Sequence, residues 1–414
     1  MKKKLRELLD VSLPIYIIFN LLYMTFGSCL VFNKYLKFRL FSYGYIVLLG
    51  INILIILILF FKKKYIKNKI DIFLILIIVF AIISTIFAYN PMKALFGEWD
   101  RYEGLFVICY YITLSFITSY LKKEDRKMIV YFILLFGFIQ CIYSFAQKFN
   151  LFNVHVRIKK GTRWATGFTS NRNFFGTLML LCIGYSIGLY IESKEKNRIV
   201  IFLFLTFLFS IGLLLSKARS CFVGLIVVMI VLFIYAINNK YIKKYIILFL
   251  VIAFSTSLMQ FVNLTPVIYY FNKTTSEISE ISKGNVKNEF GSNRIELWKE
   301  TIKIVPKYLI HGVGIDNFGN VLYGKPIRST KFIFDKAHNE YLQILVTMGI
   351  FSLISYLCLH FLILKEGIKE TVKNKEIYYI LPVIGYIVQA QFNISVIEVA
   401  PIFYIALGLV INRE

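Results

Sequence analysis

The sequence runs to 414 residues, 58% of them hydrophobic, with a formal net charge of +25. Its mean hydropathy of +0.69 lies far above what soluble domains show, whose apolar content is about 45–50%. These values exclude a soluble globular domain and leave an integral membrane protein.

A membrane-spanning helix needs about 20 predominantly apolar residues. Such runs occur at 13–33, 41–61, 70–89, 104–120, 128–147, 173–191, 199–215, 219–237, 244–262, 340–364, 377–391 and 395–411. The expected fold is all-α, a polytopic membrane helix bundle of about 12 transmembrane helices. One large loop separates the ninth and tenth. The chain divides accordingly into 1–262 (helices 1–9), 263–337 (the loop) and 338–414 (helices 10–12). No small-residue cleavage site follows the first apolar run, so a cleaved signal peptide is not expected there. Within the loop, Asn293 and Glu296 are spaced as an N-cap and its capping-box partner. Ile295, Trp298, Ile302 and Val305 then recur at helical spacing before Pro306, which predicts an amphipathic helix with Arg294 in its first turn. The following HGVGIDNFGN (311–320) is a Gly-rich turn. Its Gly-x-Gly is a weak phosphate signal, because it follows a helix instead of a strand.

Orientation is read from Lys and Arg in short loops. The basic start (Lys2, Lys3, Lys4, Arg6) predicts cytoplasmic N- and C-termini and an extracytoplasmic loop 263–337. That loop carries eleven Lys and Arg, and 148–172 carries six. Topology does not explain these outer cations. Either they meet an anionic ligand, or they face solvent and lipid headgroups. The six cysteines (Cys29, Cys109, Cys141, Cys182, Cys221, Cys358) all fall in or at the ends of apolar runs, which predicts packing roles and no disulfide framework.

Few residues remain that could carry chemistry. His360 reads as satisfied or interfacial, and His155 and His311 as turn or surface residues. His338 opens the tenth span in KAHNEYLQ, beside Asn339 and Glu340. A histidine there is either a surface residue or a proton acceptor, for which an ordinary pKa near 6.5 is suited; nearby arginines would favour its neutral form. Arg219 sits in a very short turn between two spans, where a guanidinium either snorkels to headgroups or is paired and functional. Its planar fork suits a diphosphate. Arg163, Arg172 and Arg294 are further outer cations. Arg101 lies among Glu98, Asp100 and Glu103 and reads as part of a structural ion pair. Glu398 opens the last span and could pair with Arg219, orient His338 or cap its own helix. The chain has no HExxH, Walker loop, Gly-x-Ser-x-Gly or Asp-x-Asp pair, so no metal site or cofactor is expected.

At these residues the chain resembles the O-antigen ligase superfamily, which includes O-oligosaccharyltransferases and polysaccharide polymerases. The resemblance rests on RWATGFTSNRNFFGTLML (163–180), SKARSCFVGLIVVMI (216–230), NRIELWKETIKIVPKYLIHGVGIDNF (293–318) and AHNEYLQILVTMGIFSL (337–353), in this order with the large loop. Ser220 and Cys221 stand where many members have Gly and Ala, and His311 where proline is common. The resemblance implies a metal-independent glycosyltransferase of the bacterial cytoplasmic membrane. The donor would be a lipid-linked glycan on a polyprenyl diphosphate. The acceptor would be a hydroxyl of a glycan, lipid or protein. Its catalytic histidine falls on His338 and its essential arginines on Arg219 and Arg294, with Arg163, Arg172 and Glu398 as substrate-binding candidates. Membrane lipids are expected partners and nucleic acid is not. Repeat-unit polymerisation, a carrier or flippase for lipid-linked sugars, and a structural partner of a glycan assembly remain alternatives. The topology predicts that a cysteine at Ser276 reacts with an impermeant thiol reagent in intact cells. Reaction only after lysis would invert the chain.

Overall fold

The computed structural model describes residues 12–23, 34–61, 68–98, 101–151, 157–159, 162–264, 267–322, 334–411 and 413. Each predicted apolar run contains helix within these residues, but 395–399 is not helical and the last helix begins only at Ala400, so Glu398 lies before it instead of opening it. Eight spans are long and apolar enough to cross a membrane: the stretch Gly44–Phe61 of α2 (Lys34–Phe61), α3 (Lys69–Ile86), α6 (Lys123–Phe149), α7 (Arg172–Glu192), α8 (Lys196–Ser216), α9 (Arg219–Asn238), α10 (Ile242–Phe261) and α15 (Ile350–Asn374). Four shorter apolar helices fill the other predicted positions: α1 (Ser12–Tyr23), α5 (Leu105–Thr118), Ile377–Phe392 with α16 (Ile380–Gln389) at its centre, and α17 (Ala400–Val410). The second half of the first predicted run, 24–33, lies outside the described residues. A two-stranded antiparallel hairpin, β1 (Arg157–Lys159) and β2 (Thr162–Trp164), is an addition to the all-α reading.

The bundle is organised around α7, buried at every position from Phe174 to Ile191. Gly184 and Gly188, one turn apart, let the 377–392 segment approach closely. A Cβ at Gly184 would come within 2.7 Å of the Pro382 backbone, and one at Gly188 within 2.5 Å of Tyr378. Small residues at such spacing permit backbone contact, which replaces the hydrophobic drive that is missing between helices in lipid. At the other extreme, α10 is the least buried of the eight long spans, as expected of a lipid-facing helix.

Alternating helices sort the charged residues to two ends. At one end, Arg413 reaches Asp71, with its Nη1 3.0 Å from Oδ2, and donates from Nε to Ser119 Oγ at 2.5 Å. Its guanidinium also lies 4.9 Å from the Phe116 ring centroid. This buried pair fastens the segment after α17 to the start of α3 and the end of α5. At the same end, Lys244 Nζ donates to the Ile191 and Ser193 carbonyls. The opposite end gathers the loops that carry Arg101, Arg172, Arg219, Arg294, His338 and Glu398.

Two expectations fail at that second end. The predicted span 340–364 is two helices, α14 (Glu340–Met348) and α15, broken at Gly349 with φ 85°. Backbone groups freed by a break must find partners where no water can serve them. Here the Gly-rich turn supplies them. Val313 N–H donates to Val346 O at 2.9 Å, Gly314 N–H to Thr347 O at 3.1 Å, and Ile350 N–H to Leu309 O at 2.7 Å. The turn is therefore a structural plug, which accounts for its glycines without phosphate. His311 keeps its turn role, its ring Nδ1 lying 2.7 Å from Gly312 O. The second failure is the capping box. In α12 (Phe290–Ile304), Gly291, Ser292 and Asn293 are all left-handed, and Asn293 (φ 67°) lacks the extended geometry of an N-cap. The regular helix follows this kink, so Arg294 does sit in its first turn.

Gly349→Ala places a Cβ against the Ile310 carbonyl in a left-handed conformation, which alone costs about 1–3 kcal/mol. Its melting temperature in detergent should fall clearly. Gly50→Ala in α2, where an added Cβ meets nothing, should be neutral or slightly stabilising. Equal melting of both variants would remove the structural role of the break.

Candidate functional site

His338 lies immediately before α14 with φ 50°, a left-handed conformation that costs a non-glycine residue about 1–2 kcal/mol. Strain of this kind persists only where the surroundings impose it, and each neighbour of His338 is held. Asp335 is gripped by Arg101, whose Nε is 2.6 Å from Oδ2 and Nη2 3.3 Å from Oδ1. Lys336 forms a buried ion pair with Asp316. The Ala337 N–H donates to Gln343 Oε1 at 2.8 Å, and the Ala337 carbonyl accepts from Trp298 Nε1 at 3.0 Å. Asn339 caps α14 by accepting from Leu342 N–H at 3.0 Å. Arg101 is thus in an ion pair, but with Asp335, distant in sequence, and not with the acids expected from its own neighbourhood.

The imidazole itself is held differently. Its Nδ1 is buried with no hydrogen-bond partner among the described residues, and Phe334 meets the ring edge-on, 6.1 Å between centroids. Burial, then the charge of Arg294, pushes the His338 pKa down to about 4; Asp335 opposes this, while Arg101 and Lys336 add to it. The ring is therefore neutral through the physiological range.

Arg294 and Arg219 complete the group. Burial, followed by the charge of Arg219, lowers the Arg294 pKa to about 10. Arg294 has no hydrogen bond or ion pair with another described side chain. Arg219 opens α9, where its Nη1 lies 3.2 Å from Glu277 Oε2 and its Nη2 donates to Ser292 Oγ at 2.9 Å. Glu277 lies in α11 (Val267–Ser282) and also accepts from Gly291 N–H at 3.3 Å. The kink at 291–293 thus brings Ser292 to Arg219 and starts the helix that presents Arg294. His338, Arg294 and Arg219 come from three separate regions, and each charge perturbs the next. Two fixed cations beside a neutral imidazole can hold a polyanion next to a proton acceptor.

The other candidates have contacts of their own. Glu398 accepts from Ser170 N–H at 2.9 Å and Ser170 Oγ at 3.1 Å. Its charge also acts on Arg101, and it precedes α17 without capping it. Arg172 opens α7; burial first, then the charges of Lys148 and Arg172, lowers the Lys217 pKa. The Arg163 side chain and His155 lie outside the described residues. His360 is buried with neither ring nitrogen hydrogen-bonded among the described residues, packed 4.1 Å from the Tyr356 ring. No described residue satisfies it, contrary to one half of the expectation.

Sequence reasoning missed Asp316, Asp335, Lys336 and Glu277, since each acts through a partner remote in the chain, and Gln343, whose partner Ala337 lies outside its own helix. A cavity of about 70 Å³ near the site is lined by Glu103, Asp316, Lys336, Glu340 and Tyr356 among others, roomy enough for several waters. Burial pushes the Glu103 pKa up to about 7, against Lys336 and the hydrogen bond from Tyr111. Among the described residues no group of three or more His, Cys, Asp or Glu side chains converges as a metal site.

Residues 202–357 match the family model described as O-antigen ligase. The matched stretch contains Arg219, Arg294 and His338. It suggests a membrane glycosyltransferase of ligase or polymerase type. No curated protein matches the chain.

Proposed function

We propose that this protein, whose residues 202–357 match the O-antigen ligase family model, transfers a glycan from a polyprenyl-diphosphate donor to an acceptor hydroxyl on the outer face of the cytoplasmic membrane. The observation that supports this reading is the electrostatic grouping of Arg219, Arg294 and His338. The acceptor O–H bond breaks as its proton passes to the His338 imidazole. The acceptor oxygen attacks the anomeric carbon, and the bond to the diphosphate breaks with its electron pair leaving on the diphosphate. Arg219 and Arg294 bind this leaving group and stabilise the charge it gains, the term that usually dominates such catalysis. A diphosphate departs without protonation, so one base suffices. The low proton affinity of His338 keeps it in the accepting form and lets it shed the proton afterwards. Arg163, Arg172 and Glu398 are proposed to contact more distant parts of the substrates. Polymerisation of repeat units differs from ligation only in the acceptor.

The test is turnover of a labelled lipid-linked glycan by purified protein. His338→Ala should fold and bind donor while turnover falls by roughly 10²–10⁴. Because the imidazole stays neutral down to about pH 4, the wild-type rate should fall only as pH drops through that region, well below the ordinary histidine value. Near-normal turnover in His338→Ala would remove the base.

The arginines should behave differently. Arg219→Ala and Arg294→Ala should lose donor binding as well as rate, and lysine at either position should rescue poorly, since it cannot form the planar fork. Undiminished donor affinity in both alanine variants would detach them from the diphosphate.

A further inference from the structure

A catalytic histidine is ordinarily oriented through its second ring nitrogen, by a carboxylate or a backbone carbonyl. His338 has no such orienting group among the described residues: its Nδ1 is buried and unpartnered. The nearby acids are engaged elsewhere, with Glu340 accepting from Tyr356 and Tyr386 and Asp335 from Arg101. The ring must therefore take its direction from the backbone, and there the hold is tightest at Ala337. That residue is fully buried beside Leu297, Phe318, Leu322 and Val346. Its N–H is taken by Gln343 from α14, and its carbonyl by the indole N–H of Trp298 from α12. Trp298 lies one turn beyond Arg294 on the same helix, and its ring also meets Phe392, 6.2 Å between centroids.

We propose that Trp298 is a positioning residue for His338. Its single hydrogen bond to the Ala337 carbonyl fixes the left-handed backbone that aims the imidazole, and ties the base to the helix that presents Arg294. The proposal rests on the base role given above. An indole carries one donor and no acceptor, so the bond cannot be made in the reverse sense. Loss of the N–H leaves a buried carbonyl without its partner and releases the backbone of the next residue.

The test uses full-length protein in detergent with two substitutions, Trp298→Phe and replacement of Trp298 by benzothienylalanine, in which sulfur takes the place of the N–H and the bicyclic shape is kept. The second keeps the proposal testable if the phenylalanine variant fails to fold. With lipid-linked glycan as donor, kcat should fall tenfold or more while the donor KM stays within about twofold. In ring-labelled histidine NMR, the His338 titration should move up from its low wild-type position as the ring gains water. An unchanged kcat overturns the proposal. So does a rise in KM that accounts for the whole loss, which would assign Trp298 to donor binding. Failure of the base role shows separately, as undiminished turnover in His338→Ala. In that case an unmoved titration in the benzothienyl variant would also dismiss the clamp.

Discussion

The structure depends on one rule of the bilayer: a backbone group at membrane depth must find its partner inside the protein. The break at Gly349 would otherwise leave carbonyls and amides of α14 and α15 unpaired. The 309–314 turn enters to pair with them, and this fixes the large loop onto the bundle. Tyr89 N–H donates to Val313 O at 3.0 Å, and the Asn317 side chain exchanges two hydrogen bonds with the Asn90 backbone. Asp316 then accepts from Glu98 N–H and pairs with Lys336. A turn that reads as a flexible surface element is therefore the foundation on which the His338 segment rests.

That foundation explains how a short α14 can serve the site. Because the helix stops after nine residues, its direction is independent of α15, and its N-terminus can sit among loops from elsewhere in the chain. The loop helix α12 closes the group from the other side, burying Leu297 and reaching the backbone before His338 through Trp298. Two cations are kept close beside a neutral imidazole. Burial first, and then the neighbouring positive charge, lowers the proton affinities of Arg294 and His338, and the surrounding ion pairs Arg101–Asp335 and Lys336–Asp316 hold the arrangement together.

The spans were legible because about 20 apolar residues in a row have few other uses. His338 and Arg219 stand out by position in an apolar chain, whereas Arg294, one of eleven cations in its loop, is singled out by the resemblance. The break at Gly349 was not, since a lone glycine inside VTMGIFSL leaves the apolar run unbroken. The partner of Arg101 was not, because three acids lie within three residues of it while the true one lies 234 positions away. Glu398 shows the same limit: it reads as the first turn of a span but lies in the turn before α17, and its contact with Ser170 joins loops 228 positions apart. The capping-box reading at Asn293 failed because it assumes an extended N-cap, whereas the chain here turns through three left-handed residues to bring Ser292 to Arg219.

On the proposed role of the arginines, the contact between Arg219 and Glu277 has a consequence for which anions can enter. Glu277 is a carboxylate tethered beside the guanidinium, so its effective concentration there is on the order of millimolar or higher. A free monophosphate or a single lipid headgroup, meeting Arg219 alone, competes with this built-in anion on poor terms. A ligand with two linked phosphate groups can engage Arg294 first, whose side chain no described residue pairs, and then contest Arg219 as an intramolecular event. An internal rival of this kind filters ligands by valency, admitting those that can hold both arginines at once.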